Sequence, residues 1–195
     1  MYFIEKPDSI SWDKVQKCQH DAQATNLNEQ GFEMACMYLS GAELQQRCQG
    51  GKMFIALDGN NVVGTGAITI RNLSKFGKRI KTAYLAFDSV HPNFRGKGLY
   101  HKIQNLRTLY AIDNNVDLIY LETHEKNERM KHIYKKYGYR LFLLRSYDST
   151  NYYSVVLAIS PKYPRLFSFA ANIFYWTSYI YTKLRYKPGR IKRFL

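Results

Sequence analysis

The chain has 195 residues, 46% of them apolar and 23% charged, which is enough for one sizeable hydrophobic core and excludes a disordered or fibrous protein. Lys and Arg number 29 against 15 acidic residues, giving a formal charge of +14 that calls for an anionic partner. The charge is uneven: Pro161 to Leu195 holds eight Lys or Arg and no acid, leaving +6 on residues 1–160. A uniformly basic nucleic-acid surface is thereby excluded, and no specific nucleic acid is expected.

Cys18, Cys36 and Cys48 stand at neither disulfide-framework nor CxxC spacing, and the chain starts without an apolar leader. The expectation is a reduced, cytoplasmic protein. The histidines form no HExxH pattern and no cluster with cysteine, so no metal is expected.

In chain order, residues 8–26 and 28–48 carry apolar residues at helical spacing and predict two short helices. Lys52 to Leu57 and Asn61 to Ile70 read as strands joined by a hairpin turn at Asp58-Gly59-Asn60. The polar, basic stretch Asn72 to Lys81 reads as a loop. A third strand, Lys81 to Val90, leads through a glycine-containing turn into a helix whose apolar face is Leu99, Ile103, Leu106, Leu109 and Tyr110. Leu118 to Leu121 predicts a buried strand, Asn127 to Tyr137 a helix stopped by Gly138, and Tyr139 to Arg145 with Tyr152 to Ile159 an antiparallel pair. The sum is one α/β or α+β domain over residues 1–160, followed by a basic, aromatic-rich tail over 161–195.

The segment that carries chemistry is Val90-His91-Pro92-Asn93-Phe94-Arg95-Gly96-Lys97-Gly98-Leu99, between a strand and a helix. Glycines at 96 and 98 let backbone approach a ligand, helix-start N–H groups point at it, and Arg95 and Lys97 add charge, which together suit a phosphate. Taken alone, the same residues serve equally as a tight turn with solvated cations. A second pattern, Asn-x6-Tyr-x3-Gly-Tyr, joins Asn127, Tyr134, Gly138 and Tyr139.

Together the two patterns resemble motifs A and B of the GCN5-related N-acetyltransferase (GNAT) superfamily, over residues 84–142. Val90, Pro92, Arg95, Gly96 and Gly98 match its Val-x-Pro-x-x-Arg-Gly-x-Gly run. Two positions depart: Tyr100 stands where the signature has Gly or Ala, and Met130 where a small residue is common. The resemblance implies a mixed, mostly antiparallel sheet with its fourth and fifth strands splayed, flanked by helices. It also implies acetyl-CoA, or another acyl-CoA, as co-substrate, bound by Val90, Arg95, Gly96, Lys97, Gly98, Leu99, Tyr100, Asn127 and Tyr134. The implied reaction is attack of a neutral primary amine of a small molecule or envelope precursor on the thioester. The backbone N–H near Val90 would stabilise the oxyanion. Tyr134 occupies the family's general-acid position, and a phenol with reference pKa of about 10 can return a proton to a thiolate of about 8.5. For the base, Asp88 and Glu122 at strand ends are the candidates, with His91 and His124 as weaker ones.

Leu166 to Thr182 runs 17 residues without a charge before six Lys or Arg. As a helix it would be about 26 Å long, short of the roughly 30 Å hydrocarbon core, with a polar stripe through Ser168, Asn172, Tyr175, Tyr179 and Thr182. It reads either as an amphipathic helix on an anionic membrane surface, making the protein membrane-peripheral, or as a helix packed on the domain or on a second copy in a homodimer. Two other functional readings stay open: a non-catalytic acyl-CoA-binding or membrane-associated module, and an acyltransferase with a longer acyl donor.

Overall fold

The computed structural model describes residues 1–32, 34–75, 78–146 and 153–185. The chain divides into two compact units, Met1–Val116 and Asp117–Leu195. Both combine antiparallel strands with flanking helices, the expected fold class.

The first unit runs β1 (Tyr2–Glu5), α1 (Trp12–Gln30), a 3-10 turn (Ala35–Tyr38), α2 (Gly41–Arg47), β2 (Gly51–Asp58), β3 (Asn61–Lys75), β4 (Lys78–Val90), a second 3-10 turn (Pro92–Phe94) and α3 (Leu99–Asp113). Its strands lie in the order β1-β2-β3-β4, every neighbouring pair antiparallel. Ile10, Val15 and Cys18 pack against Met53, Ile55, Leu57 and Ala67, burying one face of the strands under α1.

Several expectations shift. The first helix starts after Ser11, whose hydroxyl accepts from the Lys14 N–H, and continues to Gln30, where Gly31 ends it in a left-handed conformation. The second shrinks to a 3-10 turn and the seven-residue α2, because Ser40 and Glu43 form a reciprocal capping box that fixes a late start. The stretch expected as a loop, Asn72 to Lys81, is a strand ribbon except at residues 76 and 77, which lie outside the described residues. Asn72 pairs with Lys81 and Leu73 with Ile80. A two-stranded ribbon satisfies its backbone without burying side chains, so its polar sequence hides it. β1, unannounced by hydrophobic alternation, pairs with β2 from Tyr2↔Leu57 to Glu5↔Phe54.

Between the pairs Thr65↔Ser89 and Ala67↔Ala86 the register shifts, with β4 carrying one extra residue, and there Phe87 takes a left-handed φ of 59°. The Thr65 hydroxyl donates to the Phe87 carbonyl (2.7 Å). Gly66 is required here: a Cβ would sit 2.8 Å from Ile103 Cγ2 and 3.0 Å from the Arg107 guanidinium, so its absence lets α3 close on the strand. The buried row of α3 is Leu99, Ile103, Gln104, Arg107 and Ala111. Leu109, assigned to the apolar face by spacing, is exposed. The i, i+4 row through residues 99, 103, 107 and 111 carries a buried arginine that an apolar count overlooks.

The second unit runs β5 (Leu118–His124), α4 (Glu128–Lys136), β6 (Arg140–Ser146), β7 (Tyr153–Ile159) and α5 (Pro164–Arg185), with strand order β5-β7-β6, all antiparallel. The tail is thus a 22-residue helix, and it packs on β6 and β7. Ser178 Oγ accepts from the Leu144 N–H (3.0 Å), and Thr182 Oγ1 donates to the Leu144 carbonyl (3.1 Å). Ser178 and Thr182 thereby satisfy backbone groups of β6, the outer strand of this unit's order, whereas Asn172 of the expected polar stripe is exposed. Phe142 stacks on Phe167 and Phe174 along the same seam.

Candidate active site

The candidate residues fall in both units, and each group is described within its own unit. In the first, β4 ends at Val90 and the chain turns through Pro92–Phe94 into α3. Gly96 and Gly98 both take left-handed backbone (φ 77° and 74°), and nothing lies within 4 Å of where a Cβ would project at either. Gly98 is the N-cap of α3 and brings no side-chain hydrogen bond to it. The first-turn N–H groups of a 15-residue helix have no carbonyl ahead of them, and helix starts of this kind favour negative charge.

The side chains around this turn divide. Lys97 is exposed, its Nζ 4.7 Å from the centre of the Phe94 ring. Arg95, expected on the phosphate, turns instead to α1: Nη2 donates to the Ala22 carbonyl (3.0 Å) and Nη1 lies 3.5 Å from Glu29. It anchors the turn and leaves the charge near the glycines to Lys97. Leu99 is buried, and Tyr100 is half-buried, projecting from the first turn of α3. The His91 N–H donates to the Val63 carbonyl (3.0 Å), which removes it as an oxyanion donor near Val90. The His91 ring accepts from the Asn93 N–H through Nδ1 (3.3 Å), with Nε2 3.7 Å from Asp21.

Asp88, one of the two candidate bases, is ion-paired through Oδ1 to Nη1 of Arg107, a residue with no exposed surface. Arg107 also donates to the Ala67 carbonyl (3.2 Å) and to Gln104 Oε1 (2.6 Å). The Asp88 carboxylate is the counter-charge of that buried guanidinium, and removing one partner of such a buried pair costs about 3–5 kcal/mol in comparable cases. Sequence reading missed Arg107, and a charged residue on a helix face spaced with Leu99 and Ile103 was the available signal.

In the second unit, Glu122 on β5 accepts from the Ser154 hydroxyl of β7 and lies 3.5 Å from Arg145 of β6. Its side chain is 17% exposed and that of Arg145 46%. The carboxylate is held mainly by a neutral donor, with a loosely placed, largely solvated cation beside it. His124, at the end of β5, accepts from the Lys126 N–H at Nδ1 (3.0 Å), which places its proton on Nε2. Burial, aided by Lys126, holds His124 below its ordinary value.

Tyr134 is fully buried on α4, its ring edge-on to Tyr139 at 4.8 Å. Asn127 is the N-cap of α4: Oδ1 accepts from the Met130 N–H (3.1 Å) and Nδ2 donates to Thr123 Oγ1 (2.9 Å). Its amide is occupied in joining β5 to α4, a local role that explains an asparagine at this point of the pattern without a ligand.

The three cysteines are free, and burial pushes them up, Cys18 to about 12 and Cys36 and Cys48 to about 11 each. Among the described residues, no group of three or more His, Cys, Asp or Glu side chains is placed to hold a metal ion.

Comparison with known proteins agrees with this geometry. The family model for an acetyltransferase (GNAT) domain matches residues 11–142. No curated protein matches the chain. Among solved structures, a variant of the Bacillus halodurans protein BH1408 is similar at 22% identity and a TM-score of 0.61, over 72% of this chain and 93% of that one. FeeM, an N-acyl amino acid synthase from uncultured soil microbes, is similar at 14% identity and a TM-score of 0.61, over 85% and 98%. A GNAT-family protein from Desulfovibrio desulfuricans is similar at 12% identity and a TM-score of 0.60, over 82% and 98%. The family match covers well over half the sequence, including the glycine turn and the Asn-Tyr pattern, and the chain belongs to the GNAT acyltransferase family.

Proposed function

We propose that the protein is an acyl-CoA-dependent N-acyltransferase that transfers acetyl from acetyl-CoA to a primary amine of a small molecule or envelope precursor. The supporting observation is the start of α3, where two left-handed glycines and an uncapped helix N-terminus leave backbone N–H groups and Lys97 for a pyrophosphate. Acyl-CoA supplies the activated thioester, and residues 96–100 grip its phosphates.

Direct attack through a tetrahedral intermediate is favoured over an acyl-cysteine route. An acyl-enzyme needs a thiolate near neutrality, and all three thiols are raised well above that. Glu122 is the proposed base, because its carboxylate is held by a neutral hydroxyl beside a part-exposed cation, whereas Asp88 is engaged as the counter-charge of the buried Arg107. Tyr134 is the proposed donor to the departing thiolate, a role that its position in the family pattern suggests. A longer acyl donor is the second reading; FeeM, similar in fold, is named for N-acyl and not specifically N-acetyl transfer.

Calorimetric titration with acetyl-CoA and with a long-chain acyl-CoA, followed by release of free thiol in an amine screen, tests the proposal. Binding at micromolar concentration and amine-dependent thiol release support it. Tighter binding of the long-chain donor selects the second reading, and failure of both donors to bind the folded protein refutes the two together. Tyr134→Phe is expected to lower kcat by about 10²-fold or more with the Kd for acyl-CoA little changed.

A further inference from the structure

The tail helix is amphipathic in an inverted sense. Its face toward β6 combines the small or polar Ala171, Ser178 and Thr182 with Phe167 and Phe174, whose rings meet Phe142. On the opposite side Leu166, Phe169, Ile173, Trp176, Ile180 and Leu184 recur at intervals of three or four residues, each between 56% and 74% exposed. A face of that apolarity is costly in water, since the largest apolar patches of monomeric proteins are often functional. None of it is needed to hold the helix on its own unit, because the seam with β6 uses other residues.

Charge identifies the occupant. From Pro161 onward there are eight Lys or Arg and no Asp or Glu. Arg165 falls on the helix near its start and Lys183 near its end, both at the border of the apolar stripe by helical angle; Lys183 is paired with Glu125 (3.2 Å), so the headgroup contact at the stripe falls to Arg165. A second copy docking through this face would bring together two such segments without an acid in either. An anionic lipid surface neutralises the cations, while the acyl boundary takes the aliphatic side chains and the interfacial zone suits Trp176 and the neighbouring tyrosines. No helix among the described residues is long and apolar enough to cross a membrane, so the contact is parallel to the surface.

We infer that the outward face of α5 docks the protein on anionic bilayer surfaces, with Leu166, Phe169, Ile173, Trp176, Ile180 and Leu184 entering the interface and flanking cations on the headgroups. This reading stands independently of the acyl-transfer proposal, which concerns the turn before α3.

The test is co-sedimentation of the full chain with vesicles of phosphatidylcholine alone and of phosphatidylcholine mixed with phosphatidylglycerol, alongside sedimentation velocity without lipid. Expected is binding to the anionic vesicles, weakened by added salt, and at least about tenfold poorer in Ile173→Asp/Ile180→Asp. Both positions are solvent-facing, so circular dichroism of the variant should match wild type. Should that variant misfold, Trp176 emission reports on wild type in a Trp12→Phe background, and a blue shift with anionic vesicles alone is expected. Absence of vesicle binding with no emission shift overturns the inference. So does binding that the double aspartate variant leaves unchanged, or a lipid-free dimer that this variant dissociates without vesicle binding by wild type.

Discussion

Two helices of this chain, α3 after β4 and α4 after β5, have starts built in opposite ways. α3 begins at a left-handed glycine that offers no side-chain cap, while α4 begins at Asn127, whose amide closes the N-terminus on itself and ties it back to Thr123. The same helix-start physics leaves N–H groups without a side-chain cap in one place and closes them into a structural joint in the other. The carboxylates on the preceding strands differ in parallel: Asp88 is locked to a buried guanidinium, Glu122 is held by a hydroxyl. Residue type at a strand end or helix start therefore does not assign function, and what occupies its polar atoms does.

That contrast can be broken first at Arg107. Arg107→Leu leaves Asp88 near-buried without its partner, and chemical denaturation should read a loss of about 3–5 kcal/mol. A stable variant with full activity would show that the ion pair does not lock Asp88. Glu122→Gln keeps the Ser154 contact but abolishes basicity, and is expected to lower kcat by about 10²-fold at neutral pH while thermal stability changes little. An equal loss from Asp88→Asn in a protein of unchanged stability would reverse the assignment of the base.

Gly98→Asp and Gly98→Asn are nearly isosteric, and both residues tolerate left-handed backbone better than most. The aspartate should weaken acyl-CoA at least about tenfold more than the asparagine, because its charge meets the pyrophosphate. Asn127→Ala should cost about 1 kcal/mol of stability and leave acyl-CoA affinity unchanged. The smallest effect concerns pH. His124 is held below its ordinary value of 6.5, so the unfolded chain takes up a proton that the folded chain resists. Stability should fall as pH drops through 6.5 and level off below the folded value, and His124→Gln should flatten that part of the curve.

Much of the frame was legible in the sequence. Glycine spacing at 96 and 98 and the Asn127–Tyr139 pattern announced the family, and turn residues at Gly59 and Gly138 placed the hairpin and the end of α4. The ribbon at residues 72–81 escaped because exposed paired strands need no apolar alternation, and β1 because four residues against one neighbour carry too little pattern. In the site, positions were legible but partners were not. That Arg95 reaches α1, that Asp88 meets Arg107 and that Asn127 caps its own helix depend on contacts distant in the chain or on local geometry finer than residue type. The tail was read as amphipathic, yet Ser178 and Thr182 face inward because the edge of β6 needs hydrogen-bond partners, while a row of apolar side chains faces outward.

The most direct measurement is a backbone amide resonance titration with coenzyme A. The open start of α3 should respond, with the largest shifts at the N–H groups of residues 96–100, while residues 127–130 at the capped start of α4 move far less. Equal or larger shifts at 127–130, or none at 96–100 under saturating ligand, would contradict the account.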